Sequence, residues 1–214
     1  MTTVRELVVG AYNSSTLNNA GKLALDAELV SQTDRMYQQL WPLIARARPD
    51  QYGATTTLTL SGVPPVASLP TGLIDLQGVT DADDGIVNVI PTTDLQRSWN
   101  LPPAVTRIGQ TLRSRANTGD PSSGDVLTVL YLDQPAALTT MDSVLDTRWP
   151  SRHNQLLVDA LAMYLATKDA GRSAGDRQGT ASALQRSVAA FGSEYAVAPS
   201  NLGWIHADAS RTTE

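Results

Sequence analysis

The stretch Asp125-Val-Leu-Thr-Val-Leu-Tyr-Leu132, followed after a Pro/Thr/Asp-rich connector by a helical run that opens near Trp149-Pro150 and reaches Lys168, decides the fold. Val126, Thr128, Leu130 and Leu132 fall on one face of an extended chain, and Leu127, Val129 and Tyr131 on the other. A strand this apolar on both faces is expected to be central and covered twice. In the helix, His153, Leu156, Leu157, Ala160, Leu161, Tyr164 and Leu165 share one broad arc, while Gln155, Asp159, Ala162 and Ala166 share the other side. The first face is expected to bury in its own domain. The second, polar or small, is expected to let a second helix come close, one from a neighbouring subunit among the possibilities, which makes Ala162 and Ala166 candidate subunit contacts.

Upstream, Thr3-Val-Arg-Glu6 reads as a capping box, predicting a short helix from about Val4 to Tyr12. A second helical region starts near Asn18 or Asn19. Its apolar positions Leu29, Met36, Tyr37, Leu40 and Ile44 keep a helical period as far as Arg46, with Pro42 expected to kink or interrupt it. From Ala54 the pattern changes. The Thr-rich run to Ser61 favours a strand, while Val63-Pro-Pro-Val-Ala-Ser-Leu-Pro70 is restricted to a loop or a sheet edge. Leu73 to Val79, Gly85 to Ile90 and Val105 to Arg113 give three more strands, antiparallel because their connections are too short for crossover helices. Gly119 to Asp125 is a turn-rich loop and Gly171 to Asp176 a break. A last helix runs from about Arg177 to Tyr195 with Leu184, Val188, Phe191 and Tyr195 at helical spacing. The expected fold is α+β. Residues 1–53 and 134–195 form a helical bundle, residues 54–133 an inserted antiparallel sheet or small barrel, and residues 196–214 an extended tail.

The 214 residues are 42% hydrophobic and 17% charged, enough for a core. With no cysteine, a disulfide framework, a thiolate zinc site and a thiol nucleophile are excluded. The longest apolar run, Leu156 to Thr167, is too short to span a membrane and contains Asp159, so the expectation is an intracellular protein with no membrane contact. A net charge of −5 without a basic cluster argues against tight binding to nucleic acid. Only Lys22 and Lys168 are lysines among the 16 basic residues. Arginine suits bidentate pairing with carboxylates.

The inventory for catalysis is thin, and no catalytic, cofactor-binding or metal residue is assigned. Of the two histidines, His153 falls on the buried arc and His206 in the tail. Asp81-Ala-Asp-Asp-Gly85 resembles half a calcium loop. Its glycine falls at the fifth position and Thr92 stands where the bidentate Glu belongs, so it reads as a hairpin turn. Gly171, Gly175 and Gly179 do not have phosphate-loop spacing; Gly171-Arg-Ser-Ala-Gly175 fits the letters G-x-S-x-G, but no apolar strand precedes it as a nucleophile elbow requires, and no H-E-x-x-H pair occurs. The tail carries Leu202, Trp204 and Ile205, an apolar group of the kind that anchors in a partner.

The order of elements is what carries a resemblance. It comprises the capped helix, the Leu69-Pro-Thr-Gly-Leu-Ile-Asp-Leu-Gln-Gly-Val79 strand entry and the Pro102-x-x-Val-x-x-x-Gly-x-x-Leu112 strand. After these come Pro135-Ala-Ala-Leu138 and Leu145-Asp-Thr-Arg-Trp-Pro-Ser-Arg-His-Asn-Gln-Leu-Leu-Val-Asp-Ala-Leu-Ala162. Over about residues 3–195 this is similar to the head-to-tail adaptors of tailed bacteriophages, of connector or gatekeeper type. The resemblance implies a non-enzymatic virion protein of the neck, assembled in the host cytoplasm. Its copies would form a ring, usually twelve-fold, below the portal protein, extending the DNA channel and giving tail or neck proteins a platform. Genomic DNA would pass without specific binding, and Leu202, Trp204 and Ile205 would reach the portal. Two other readings share the composition. One is a tail-completion or stopper component that binds the tail instead. The other is a hydrolase using Asp81, Asp83 or Asp84, which requires a concave pocket and a metal.

Overall fold

The computed structural model describes residues 1–14, 24–92, 102–115, 119–169 and 173–196. It divides into two compact units, one made of Met1–Ala47 with Pro135–Glu214 and the other of Arg48–Gln134. Helices and sheets are segregated, giving an α+β fold.

The helical unit contains α1 (Val4–Ser14), α2 (Asp26–Ala47), a 3-10 turn (Ser151–His153), α4 (Asn154–Lys168) and α5 (Ala174–Tyr195). The Thr3 backbone N–H donates to Glu6 Oε2 at 2.9 Å and the Glu6 N–H to Thr3 Oγ1 at 3.2 Å, so the capping box forms. Thr3→Ala is expected to cost about 0.5–2 kcal/mol, read as a lower thermal midpoint. A second cap starts α5, where the Asp176 N–H donates to Ser173 Oγ at 3.2 Å. Helix α2 runs through Pro42 without interruption. One missing N–H bond is offset by the burial of Leu40, Trp41, Ile44 and Ala45 around it.

Helix α4 is the centre of this unit because it is apolar nearly all round. Gly10 of α1 lies so near that a Cβ there would come within 3.2 Å of Val158 Cγ2. Glu28 of α2 accepts from Lys168 Nζ at 2.8 Å and from the Tyr164 hydroxyl. The polar, small side expected to let a second helix come close receives the chain's own α5. Ser187 donates to Asp159 Oδ2, Gln155 donates to Asp159 Oδ1 at 2.7 Å, and Ala162 and Ala166 are 2% and 0% exposed. Small side chains let two helices approach closely. The expectation that Ala162 and Ala166 form a subunit contact is therefore corrected: they are core residues of a single copy.

The second unit begins with a helical turn, α3 (Pro49–Tyr52), and continues, among the described residues, as seven strands in two sheets. They are β1 (Ala54–Thr59), β2 (Val66–Ser68), β3 (Leu73–Thr80), β4 (Asn88–Val89), β5 (Ala104–Ile108), β6 (Thr111–Ser114) and β7 (Val126–Asp133). The first sheet is antiparallel in the order β1-β7-β3, with β7 central as its pattern demands. The second runs β2-β6-β5-β4, so the Pro-flanked β2 is an edge. Leu127 and Val129 of β7 pack with Val79, Ala67, Val105 and Leu112 in one buried cluster between the sheets. The other face of β7 is only half covered, Val126 being 41% exposed, which departs from the expected double burial.

Two strand expectations change. Val105 to Arg113 is a hairpin rather than one strand, because Gly109 takes φ +58° in a two-residue turn between the paired Ile108 and Thr111. Gly85 to Ile90 stitches the sheets together. The Val87 N–H bonds Val79 O at 2.9 Å in the first sheet, and the Ile90 N–H bonds Val105 O at 2.9 Å in the second. Its short strand β4 therefore runs parallel to β5, not antiparallel as expected.

Candidate interaction surfaces and the ion pairs behind them

The titratable groups of greatest interest meet where α5 ends. His153 is 5% exposed, its Nε2 2.7 Å from Tyr195 Oη and 3.7 Å from Glu194 Oε2. Arg152 Nε donates to Glu194 Oε1 at 2.8 Å. Rings continue inward, with Phe191 at 5.2 Å and Trp149 at 6.2 Å from the imidazole, Tyr37 at 5.1 Å from Trp149 and Trp41 at 6.2 Å from Tyr37. This aromatic chain joins α2, the turn before α4 and the last turns of α5. Its members lie far apart in sequence: helical period marks Tyr37, His153, Phe191 and Tyr195 but neither Trp41 nor Trp149, and it carries no sign of their adjacency. His153 is indeed a buried, hydrogen-bonded histidine at the helix start.

Burial holds the His153 imidazole below its ordinary value. The Glu194 carboxylate pulls the other way and the Arg152 guanidinium lowers it further. The unfolded chain therefore takes up this proton first as pH falls. Stability from His153 is full above the unfolded value of about 6.5 and is lost below it, down to the depressed folded value, by at most about 1.4 kcal/mol per pH unit. Between pH 7 and 5 the melting temperature of the natural chain is expected to fall, and that of His153→Gln to fall less. Parallel curves would contradict this.

In the β unit the loop read only as turn-rich supplies a buried ion pair. Arg115 Nε donates to Asp120 Oδ2 and Arg115 Nη2 to Asp120 Oδ1, each at 2.9 Å. The two side chains are 1% and 0% exposed. The Ala104 N–H also donates to Asp120 Oδ1 at 3.0 Å, tying the start of β5 to the pair. Hydrogen bonding to Asp120 raises the Arg115 pKa, keeping it charged. Other cations are matched within the chain as well, Arg148 to Asp146 at 2.8 Å and Arg5 to Asp142 at 2.9 Å.

Asp81, Asp83 and Asp84 do form a turn. Asp81 Oδ1 accepts the Asp83 N–H at 3.0 Å and the Gly85 N–H at 2.7 Å, and a Cβ on Gly85 would come within 2.5 Å of Asp81 Oδ2. The glycine is thus explained by close approach inside the turn. Among the described residues no three His, Asp or Glu side chains converge as a metal-ligand set, and no helix is long and apolar enough to cross a membrane. Leu202, Trp204, Ile205 and His206 lie outside the described residues, as do Trp99 and Asn18 to Lys22.

A family model described as SU10 adaptor protein matches residues 4–201. The chain belongs to this family of bacteriophage head-to-tail adaptors, which are structural proteins of the virion. No curated protein matches the chain.

Proposed function

We propose that copies of this chain form a closed ring that binds the portal protein on one side and tail or neck proteins on the other, leaving a channel for the genome. The observation that carries the reading is the family match over residues 4–201. The electrostatics favour it. The net charge is −5, and Arg5, Arg115, Arg148, Arg152 and Lys168 are each engaged by a carboxylate of the same chain. Cations already matched release few counterions on meeting phosphate, so duplex DNA is not gripped as it passes. The tail residues Leu202, Trp204 and Ile205 are assigned to the portal contact.

The test is the mass of the complex formed when the full chain, or a chain ending at Pro199, is mixed with the portal ring. Stoichiometric binding lost on truncation is the expected result. Binding that survives truncation would remove the tail assignment, and no binding by either chain would move the protein to the tail side of the neck.

A further inference from the structure

We propose that a cleft at one end of the β unit takes the β5–β6 hairpin of a second copy of this chain. The cleft has a volume of about 260 Å³ and is walled by Pro103, Pro121 and Val126, with Asp81, Asp83 and Asp125 at its lip. Its wall continues onto open apolar surface. Ile86, 77% exposed, pairs with Thr80, which pairs with Thr128 two residues along β7 from Val126, so Ile86 and Val126 share one sheet face. Scattered single apolar residues need no explanation, but two such side chains beside a recess form a continuous surface. Asp120, which also lines the cleft, is already committed to Arg115.

The complementary surface is at the other end of the same strand. Strand β5 starts at Ala104, next to Pro103 of the cleft, and ends at Ile108 in the hairpin. That separation is about 13 Å at 3.3 Å per residue, so the two surfaces of one copy do not meet. Ile108 is 40% exposed, and Arg113 is exposed on the same sheet face, diagonal to it across the β5–β6 pair. Arg113 forms no ion pair among the described residues, and Arg107 Nε donates only to the carbonyl of Gly109 within the turn, at 3.0 Å. A recess of mixed lining with an acidic lip thus stands at one end of the unit, and the exposed Ile108 with Arg113 on its sheet face and Arg107 in the turn at the other. Joining unlike surfaces of successive copies is a heterologous contact, and such contacts generate rings when the rotation closes. The inference rests on the ring reading and names the surfaces by which copies meet.

Two variants test it. Asp83→Lys with Asp125→Lys takes the lip formed by Asp81, Asp83 and Asp125 from a net charge of −3 to +1, at the loss of the acceptor for the Ser122 N–H that Asp125 now holds at 2.7 Å. Arg107→Glu with Arg113→Glu inverts the hairpin. Self-association of the full chain is measured by sedimentation over a concentration series at low salt, with circular dichroism melts as the folding control. Each variant alone is expected to associate about a hundredfold more weakly than the natural chain, from like charges set against each other. An equimolar mixture should regain association, because each variant's altered surface then finds its complement on the other. Variants that associate like the natural chain, a mixture that stays dissociated, or a natural chain that remains monomeric throughout would each overturn the inference. None of these outcomes bears on portal binding, which is read separately from the complex mass.

Discussion

Asp120→Ala is expected to destabilise the β unit by about 3–5 kcal/mol, because it leaves the buried Arg115 guanidinium without its counter-charge. The pair is bidentate and its side chains are 1% and 0% exposed, so water cannot replace the lost oxygens without opening the start of β5. The same change removes the acceptor of the Ala104 N–H. Replacing both partners together, as in Arg115→Met with Asp120→Leu, should return most of the loss, since the desolvation cost disappears along with the attraction. Urea unfolding followed by hydrogen exchange at Val105 and Thr106, which are both fully buried, reads the effect in this unit. A loss below about 1 kcal/mol, the range of an exposed pair, would contradict the burial argument.

The second large effect is in the helical unit. Trp41→Ala is expected to cost about 3–5 kcal/mol, the sum of lost transfer energy and the cavity left by the indole. Trp41 is 0% exposed, with the Tyr37 ring at 6.2 Å and the Arg148 guanidinium 5.0 Å from its ring centroid. Tyr37 in turn accepts the Asp146 N–H at 3.0 Å, and Asp146 holds Arg148, so the ring sits in a closed set of contacts between α2 and the turn before α4. Trp41→Phe keeps an aromatic body and should cost less. The check is thermal unfolding of both variants with near-ultraviolet dichroism. A midpoint unchanged in Trp41→Ala would show that this aromatic chain does not carry the packing of α2.

What was legible in the sequence is what local chemistry specifies. Thr3 and Glu6 announced the start of α1, the apolar run from Val126 announced the central strand, and Leu184, Val188, Phe191 and Tyr195 marked the buried face of α5. Long-range pairing was not legible. Nothing near Asp159 reveals that Ser187, 28 residues on, supplies its hydrogen bond, so the sequence does not say which helix covers the polar, small face. Arg115 and Asp120 lie only five residues apart, yet a run of turn residues between strands carries no sign that its carboxylate is buried. Gly109 falls inside the stretch Val105 to Arg113 expected as one strand, and its positive φ marks the turn that separates β5 from β6. For the site, the acidic turn at Asp81 was read for what it is, and Ala162 and Ala166 were placed on the wrong surface.

The most direct test of the adaptor assignment is electron cryomicroscopy of the intact neck of the phage that encodes this chain. The predicted result is a ring of copies seated between portal and tail, around a lumen wide enough for duplex DNA. Purified virions that lack the chain, or carry it away from the head-tail junction, would contradict the account.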